Sequence, residues 1–235
     1  MSFFDRFQGV FFNPRPVFDA LAAKPVWKDA LVILLIVMAA FAYLIAPISQ
    51  KDTLSAVRDN VKLQDRLGKE GFDRMIQGME NPSPAGVILR SAVINPVMML
   101  AGWLIAGVLL LVLGRMVSTE GAFLPIFAAV LHANFIDKIL GTIVRLILIL
   151  TRKSVIQTST SLALLAPGAD FTSAPYIILS QFDFFQLWMF GVLGLGLARI
   201  LKVSTGKGMA VSYGFWALKS IVFIALGFLS RSFMG

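Results

Sequence analysis

Residues Ala122 to Leu150 make one apolar stretch of 29 residues with an unusual centre. That centre reads His132-Ala133-Asn134-Phe135-Ile136-Asp137-Lys138, and Arg145 follows seven residues after the lysine. As a helix the stretch is about 43 Å long at 1.5 Å per residue, more than a hydrocarbon layer of about 30 Å needs. It therefore has to tilt, break near Asn134 or project from the membrane. At 100° per residue, Lys138, Gly141 and Arg145 fall within about 40° of Asn134, while Asp137 lies to one side and His132 points elsewhere. A charge at mid-bilayer costs about 2.5–3.5 kcal/mol, so such a stripe must face protein, water or headgroups. Two roles fit: a packed polar seam inside a bundle, or a path for a substrate or ion.

Composition sets the class. Of 235 residues 57% are hydrophobic and only 14% charged, where a soluble domain carries about 25%. Four further apolar runs accompany the opening one, which makes the expected fold all-α: a polytopic membrane bundle of about five transmembrane helices. The chain reads as a single membrane domain over 1–235. An N-terminal amphipathic region (1–29) leads to a first span (30–47) and a hydrophilic helical insert (48–91). The remaining spans are 92–114, 122–150, 182–201 and 209–229.

In residues 1–29, Phe3, Phe7 and Phe11 recur at helical spacing, and Ser2 with Asp5 can cap the first turn. This helix either lies in the membrane interface or packs on the bundle. Phe3, Phe7, Phe11 and Trp27 are the candidate interface anchors. Pro16 opens a second short helix. In the insert, Leu54, Val57, Val61 and Leu67, then Phe72, Met75, Ile76 and Met79, suggest two amphipathic helices separated between Gly68 and Gly71. Asn95-Pro96 is placed in the opening turns of the second span, where proline costs little. A turn through Ser118 to Gly121 makes the second and third spans antiparallel neighbours. Leu162 to Leu165 is too short to cross and reads as re-entrant or interfacial. In the fourth span Gly194 and Ala198 permit close helix approach, and Ala210 and Gly214 repeat that spacing in the fifth. Lys219 sits halfway along the fifth span and is expected to face the bundle, toward Asp137 or Asp183.

Several chemistries are excluded. The chain has no cysteine and one histidine, so thiol catalysis, disulfides and a multi-histidine zinc site are absent. Ser204-Thr205-Gly206-Lys207-Gly208 imitates a phosphate loop, but Leu201 replaces its first glycine and Gly208 its hydroxyl. His132 and Asp137 lie on different faces and make a poor catalytic pair. No catalytic residue, cofactor or metal ligand is therefore expected, and the chain reads as a non-enzyme. Of the net charge of +8, +6 is scattered through residues 92–235 rather than clustered, which suits anionic lipid and not nucleic acid. Asn134, Asp137, Lys138, Arg145 and Lys219 are the candidate intramembrane polar site.

Phe12-Asn13-Pro14-Arg15-Pro16-Val17-Phe18, then Leu21 and Lys24-Pro25-Val26-Trp27-Lys28 leading into the first span, resemble the Yip (Ypt/Rab-interacting protein) family in its bacterial branch. So do Asn81-Pro82 after the insert, Ala128-Ala129-Val130-Leu131-His132-Ala133, and Phe184-Phe185-Gln186-Leu187-Trp188. The resemblance implies a five-span bundle with a cytoplasmic N-terminus. Counting basic residues in the connections favours that side too, once the paired charges of the insert are set aside. Eukaryotic members are associated with Rab GTPases through a long N-terminal cytosolic part, whereas about 29 residues precede the first span in this chain. Bacterial relatives are associated with ABC-type export as accessory membrane subunits. The resulting expectation is a multi-pass inner (cytoplasmic) membrane protein that contacts lipids and a membrane-protein partner, such as ABC-type exporter subunits. Homo-oligomerisation stays open. The alternative is a transporter or lipid-handling protein that uses the polar stripe of the third span.

Overall fold

The computed structural model describes residues 1–156, 158, 160–166 and 173–234. The chain is all-helical, with 84% helix and no strand among the described residues. Two short helices, α1 (Phe3–Phe12) and α2 (Pro14–Ala23), precede α3 (Lys28–Arg58), α4 (Val61–Glu80) and α5 (Pro84–Leu89). A π-helical turn (Arg90–Ile94) joins α5 to α6 (Asn95–Arg115). Next come α7 (Phe123–Phe135), a second π turn (Ile136–Gly141) and α8 (Thr142–Arg152). A 3-10 turn (Leu162–Leu165), α9 (Ala174–Leu179), α10 (Phe184–Ile200) and α11 (Thr205–Met234) complete the chain.

Among the described residues, three helical stretches are long and apolar enough to cross a membrane: Lys28–Arg58, Pro84–Arg115 and Thr205–Arg231. Phe184–Ile200 is a shorter apolar helix. The expected third span is one helical run, but the π turn divides it into α7 and α8. The stretches expected to span thus fall into three long helices, one short one and one interrupted one. Burial in α6 shows why these helices belong in lipid. Trp103, Gly107, Leu110 and Gly114 recur on its buried face, while Leu104, Ile105, Val108 and Val112 stand exposed on the other. An exposed face of that composition suits the hydrocarbon of a membrane.

Two boundaries differ from the sequence reading. The first helix does not stop at residue 47; it runs through Pro47 to Arg58 and carries Leu54 and Val57 with it. Proline removes one backbone donor, and the helix continues past it into the polar turn Ser49-Gln50-Lys51-Asp52. The second crossing helix begins at Pro84 rather than at residue 92, so Asn95-Pro96 lies well inside it. The π turn directly before Pro96 is the local adjustment, because its wider ring needs no bond from the missing N–H.

The chain forms two compact units. The first holds Met1–Met38, Pro96–Ile143 and Phe184–Ile221. Its centre is α7 and α10. Every residue from Ile126 to Asp137 is buried, as are Phe185, Met189, Phe190, Leu193, Leu197 and Ile200. A helix buried all round needs apolar residues on every face, which accounts for its featureless hydropathy pattern. On α10, Phe18 of α2 fills the place of a side chain at Gly196. One end of this unit collects several connections. Ser118 Oγ donates to Leu201 O at 2.6 Å, and Asp19 pairs with Arg199 at 2.5 Å. Gly121 at φ +94° sits where a Cβ would strike Leu201, so the turn before α7 requires glycine on both counts. A four-residue connection (201–204) also forces α10 and α11 together at their joined ends. A Cβ on Gly208 would lie 2.5 Å from Gly194 O and 2.7 Å from the Ala198 nitrogen, whereas a Cβ on Gly214 would meet nothing among the described residues. Gly194 and Ala198 are thus close-approach residues that receive Gly208, while Gly214 makes no close approach among the described residues.

The second unit holds Ala39–Asn95, Val144–Asp183 and Val222–Gly235. Asp52 ties it together by accepting from Ser154 Oγ and from the backbone N–H groups of Val155 and Ile156, at 2.9, 2.5 and 3.2 Å. Gln50 Nε2 donates to Met79 O at 2.7 Å, and Arg58 pairs with Glu80. These bonds fold α4 back along the end of α3. At Gly68 the backbone leaves helical geometry (φ 66°, ψ 164°), so α4 is two pieces divided at the glycine the sequence pointed to. Leu162–Leu165 is a 3-10 turn capped by Ser161, with Ala163 buried and its leucines exposed.

Candidate functional site

The polar residues of the central helix are held individually. Asn134 Nδ2 donates to Val130 O at 2.8 Å, one turn back on its own helix. Asp137, buried, pairs with Lys138 at 2.7 Å. Sequence neighbours do not face one another on a regular α-helix; both residues lie inside the π turn, where the wider winding lets them meet. The same turn departs from the constant 100° per residue of a regular helix. Lys219 Nζ donates to Gln186 Oε1 and lies 5.6 Å from the Phe190 ring centre, a placement that a cation–π contact favours.

Arg145 belongs to the second unit. Its guanidinium meets Asp183 Oδ1 at 3.0 Å, and its Nε donates to Thr160 Oγ1 at 3.0 Å. Thr160 in turn donates to Asp183, and Ser161 and Asp183 form an isolated backbone bridge. This triad closes the loop after α8 onto the residue preceding α10.

A second cluster has the longer reach in sequence. Arg6 on α1 is 5% exposed and pairs with Asp29 at the start of α3. Its NH1 donates to Met1 O at 2.8 Å, and its Nε donates to His132 Nε2 at 3.2 Å. His132, fully buried, has Nδ1 2.8 Å from Ala128 O. Guanidinium can only donate and a carbonyl can only accept, so the ring is the neutral tautomer with its proton on Nδ1. The sequence carried one signal of this cluster. On the α1 wheel Arg6 flanks the Phe3–Phe7–Val10 face next to Val10, where an unpaired charge is costly once that face is buried.

The aromatic anchors have defined contacts. Phe3 and Phe7 pack on Phe135 with ring centres 6.0 and 5.3 Å apart, Phe11 meets Trp188 at 6.2 Å, and Trp27 meets Phe127 at 5.8 Å. The rings of α1 most open to the surroundings are Phe4 (61%) and Phe12 (87%).

At the tip of α1, Ser2 and Asp5 form the expected capping box. The Ser2 hydroxyl, and then its N–H, hold the Asp5 carboxyl below its ordinary range. A carboxyl depressed by folding contributes stability above its unfolded value, and that contribution disappears as pH falls through the folded one. Amide-exchange protection of α1, corrected for intrinsic rates, should therefore stay flat from pH 8 to 5 and decline only below about pH 4.

No group of three or more His, Asp or Glu side chains able to hold a metal ion occurs among the described residues. A family model, the Yip1 domain, matches residues 9–227. No curated protein and no solved structure matches the chain.

Proposed function

This chain belongs to the Yip1 domain family of multi-pass membrane proteins, and within it we propose the role of a non-enzymatic subunit that binds a partner membrane protein through α4. The carrying observation is the exposed apolar surface on the first half of α4. Val61 and Leu67 are 66% and 45% exposed, beside Lys62, Asp65, Arg66, Lys69, Glu70 and Asp73, whose charges cancel. An amphipathic helix bound for an anionic membrane surface is rich in Lys and Arg on its polar face. Balanced charge around exposed apolar side chains suits a protein partner instead. The kink at Gly68 frees this half from the face that buries Phe72. The exporter association implied by the resemblance makes an ABC-type subunit the first partner to test.

We further place the chain in the cytoplasmic membrane with five crossings and the N-terminus inside. The apolar α10 and the interrupted α7–α8 run are the fourth and third of these. Transport or lipid handling along the central helix has less in its favour, because Asn134 is engaged by the Val130 carbonyl and Asp137 by Lys138.

Photo-crosslinkable residues at positions 61 and 67, activated in intact membranes, test the docking surface. Adducts to an ATP-binding-cassette subunit that disappear with Val61→Ser combined with Leu67→Ser are expected. Adducts only to lipid, or to the chain itself, would overturn the proposal.

A further inference from the structure

The end of the first unit where α6 stops and α11 starts carries an open cleft of about 760 Å³. It lies between the turn after α6 and the turn before α11, and its lining includes Arg115, Met116, Ser118, Thr119, Lys202 and Lys207. Arg115 is held in place by the carbonyls of Thr119 and Gly121, the latter at 2.9 Å. Those carbonyls fix the guanidinium without cancelling its charge. Glu120 stands 3.4 Å from Lys202, and Lys207 lies exposed beside them. Three cations thus face one carboxylate.

Position adds to charge. Both bordering helices are long and apolar enough to cross the membrane, so the cleft opens at headgroup depth, where those helices leave the hydrocarbon. Met116 at its rim is 79% exposed, an apolar residue where a glycerol backbone and the first acyl carbons would lie. Hydroxyls from Ser118 and Thr119 supply neutral donors beside the cations. We infer that this cleft binds the phosphate headgroup of an anionic phospholipid from the surrounding leaflet. Cationic side chains hold the phosphate, and the lipid's tails run down the exposed face of α6.

The full-length chain in neutral detergent micelles would be titrated with dioctanoyl phosphatidylglycerol, dioctanoyl phosphatidylcholine and inorganic phosphate. Basic residues at a membrane surface are worth about fivefold in affinity each. Lys202→Gln with Lys207→Gln should therefore weaken phosphatidylglycerol binding about 20- to 30-fold, while Lys202→Arg with Lys207→Arg retains it. Raised salt should weaken the wild-type interaction, since the cleft is open to solvent. Lys51→Gln with Lys153→Gln, on other parts of the chain, should leave affinity unchanged. Equal binding of the two lipids, an undiminished glutamine variant, or equal loss in the Lys51/Lys153 control would each overturn the inference. Displacement of the lipid by inorganic phosphate at matching concentration would assign the cleft to a soluble anion and overturn the lipid.

Discussion

Arg6→Ala is expected to cost about 2–4 kcal/mol of unfolding free energy, measured by denaturant titration in mixed micelles. Removing the guanidinium leaves Asp29 without its counter-charge, His132 Nε2 without a donor and the Met1 carbonyl unbonded. Breaking a buried pair from one side typically costs about 3–5 kcal/mol; the lower range expected for Arg6 reflects the third of the Asp29 side chain that water reaches. Replacing both charges, as Arg6→Met with Asp29→Leu, should recover part of the loss. The orphaned imidazole nitrogen, at about 1–3 kcal/mol for a buried group left unsatisfied, prevents full recovery. A change below about 0.5 kcal/mol for Arg6→Ala, the usual range for surface substitutions, would show that α1 is not locked by this cluster.

Gly208→Ala should be nearly as damaging, at about 3 kcal/mol, because the new methyl meets the Gly194 carbonyl and the Ala198 backbone nitrogen. Backbone cannot swing aside as a side chain can, so α11 has to move off α10. Gly214→Ala, two turns later on the same helix, meets open space. It should be neutral or stabilising by up to about 1 kcal/mol through helix propensity. Both variants are measured in one unfolding assay. Equal effects at the two glycines would mean that the joined ends of α10 and α11 do not set the helix contact.

These two sites also mark where sequence reading succeeds and where it stops. Gly194 and Ala198 are visible as a small-residue pair, and Gly68 is visible as a break, because glycine limits local packing and backbone geometry directly. The partner of Gly194 is less legible. Ala210 and Gly214 repeat the small-residue spacing, yet it is Gly208, just after the short 201–204 connection, that meets Gly194. The candidate polar stripe rests on a constant 100° per residue, and the π turn at Ile136–Gly141 departs from that constant. Nothing in the composition of Ile136–Gly141 announces such a turn. Arg6, Asp29 and His132 are three ordinary residues scattered over the chain, and only tertiary packing brings them together. The membrane class and the all-helical fold, by contrast, follow from composition averaged over many residues, which single exceptions cannot disturb.

The Arg6 cluster also imposes an order of assembly. Asp29 lies 23 residues after Arg6, but His132 lies 126 residues after it. At about 5–20 residues per second of synthesis, α1 waits roughly 5–20 seconds between the arrival of its carboxylate and that of its imidazole. Phe135, the ring that receives Phe3 and Phe7, arrives with the imidazole. For that interval the aromatic face of α1 lacks the ring of Phe135 that Phe3 and Phe7 pack on in the finished fold.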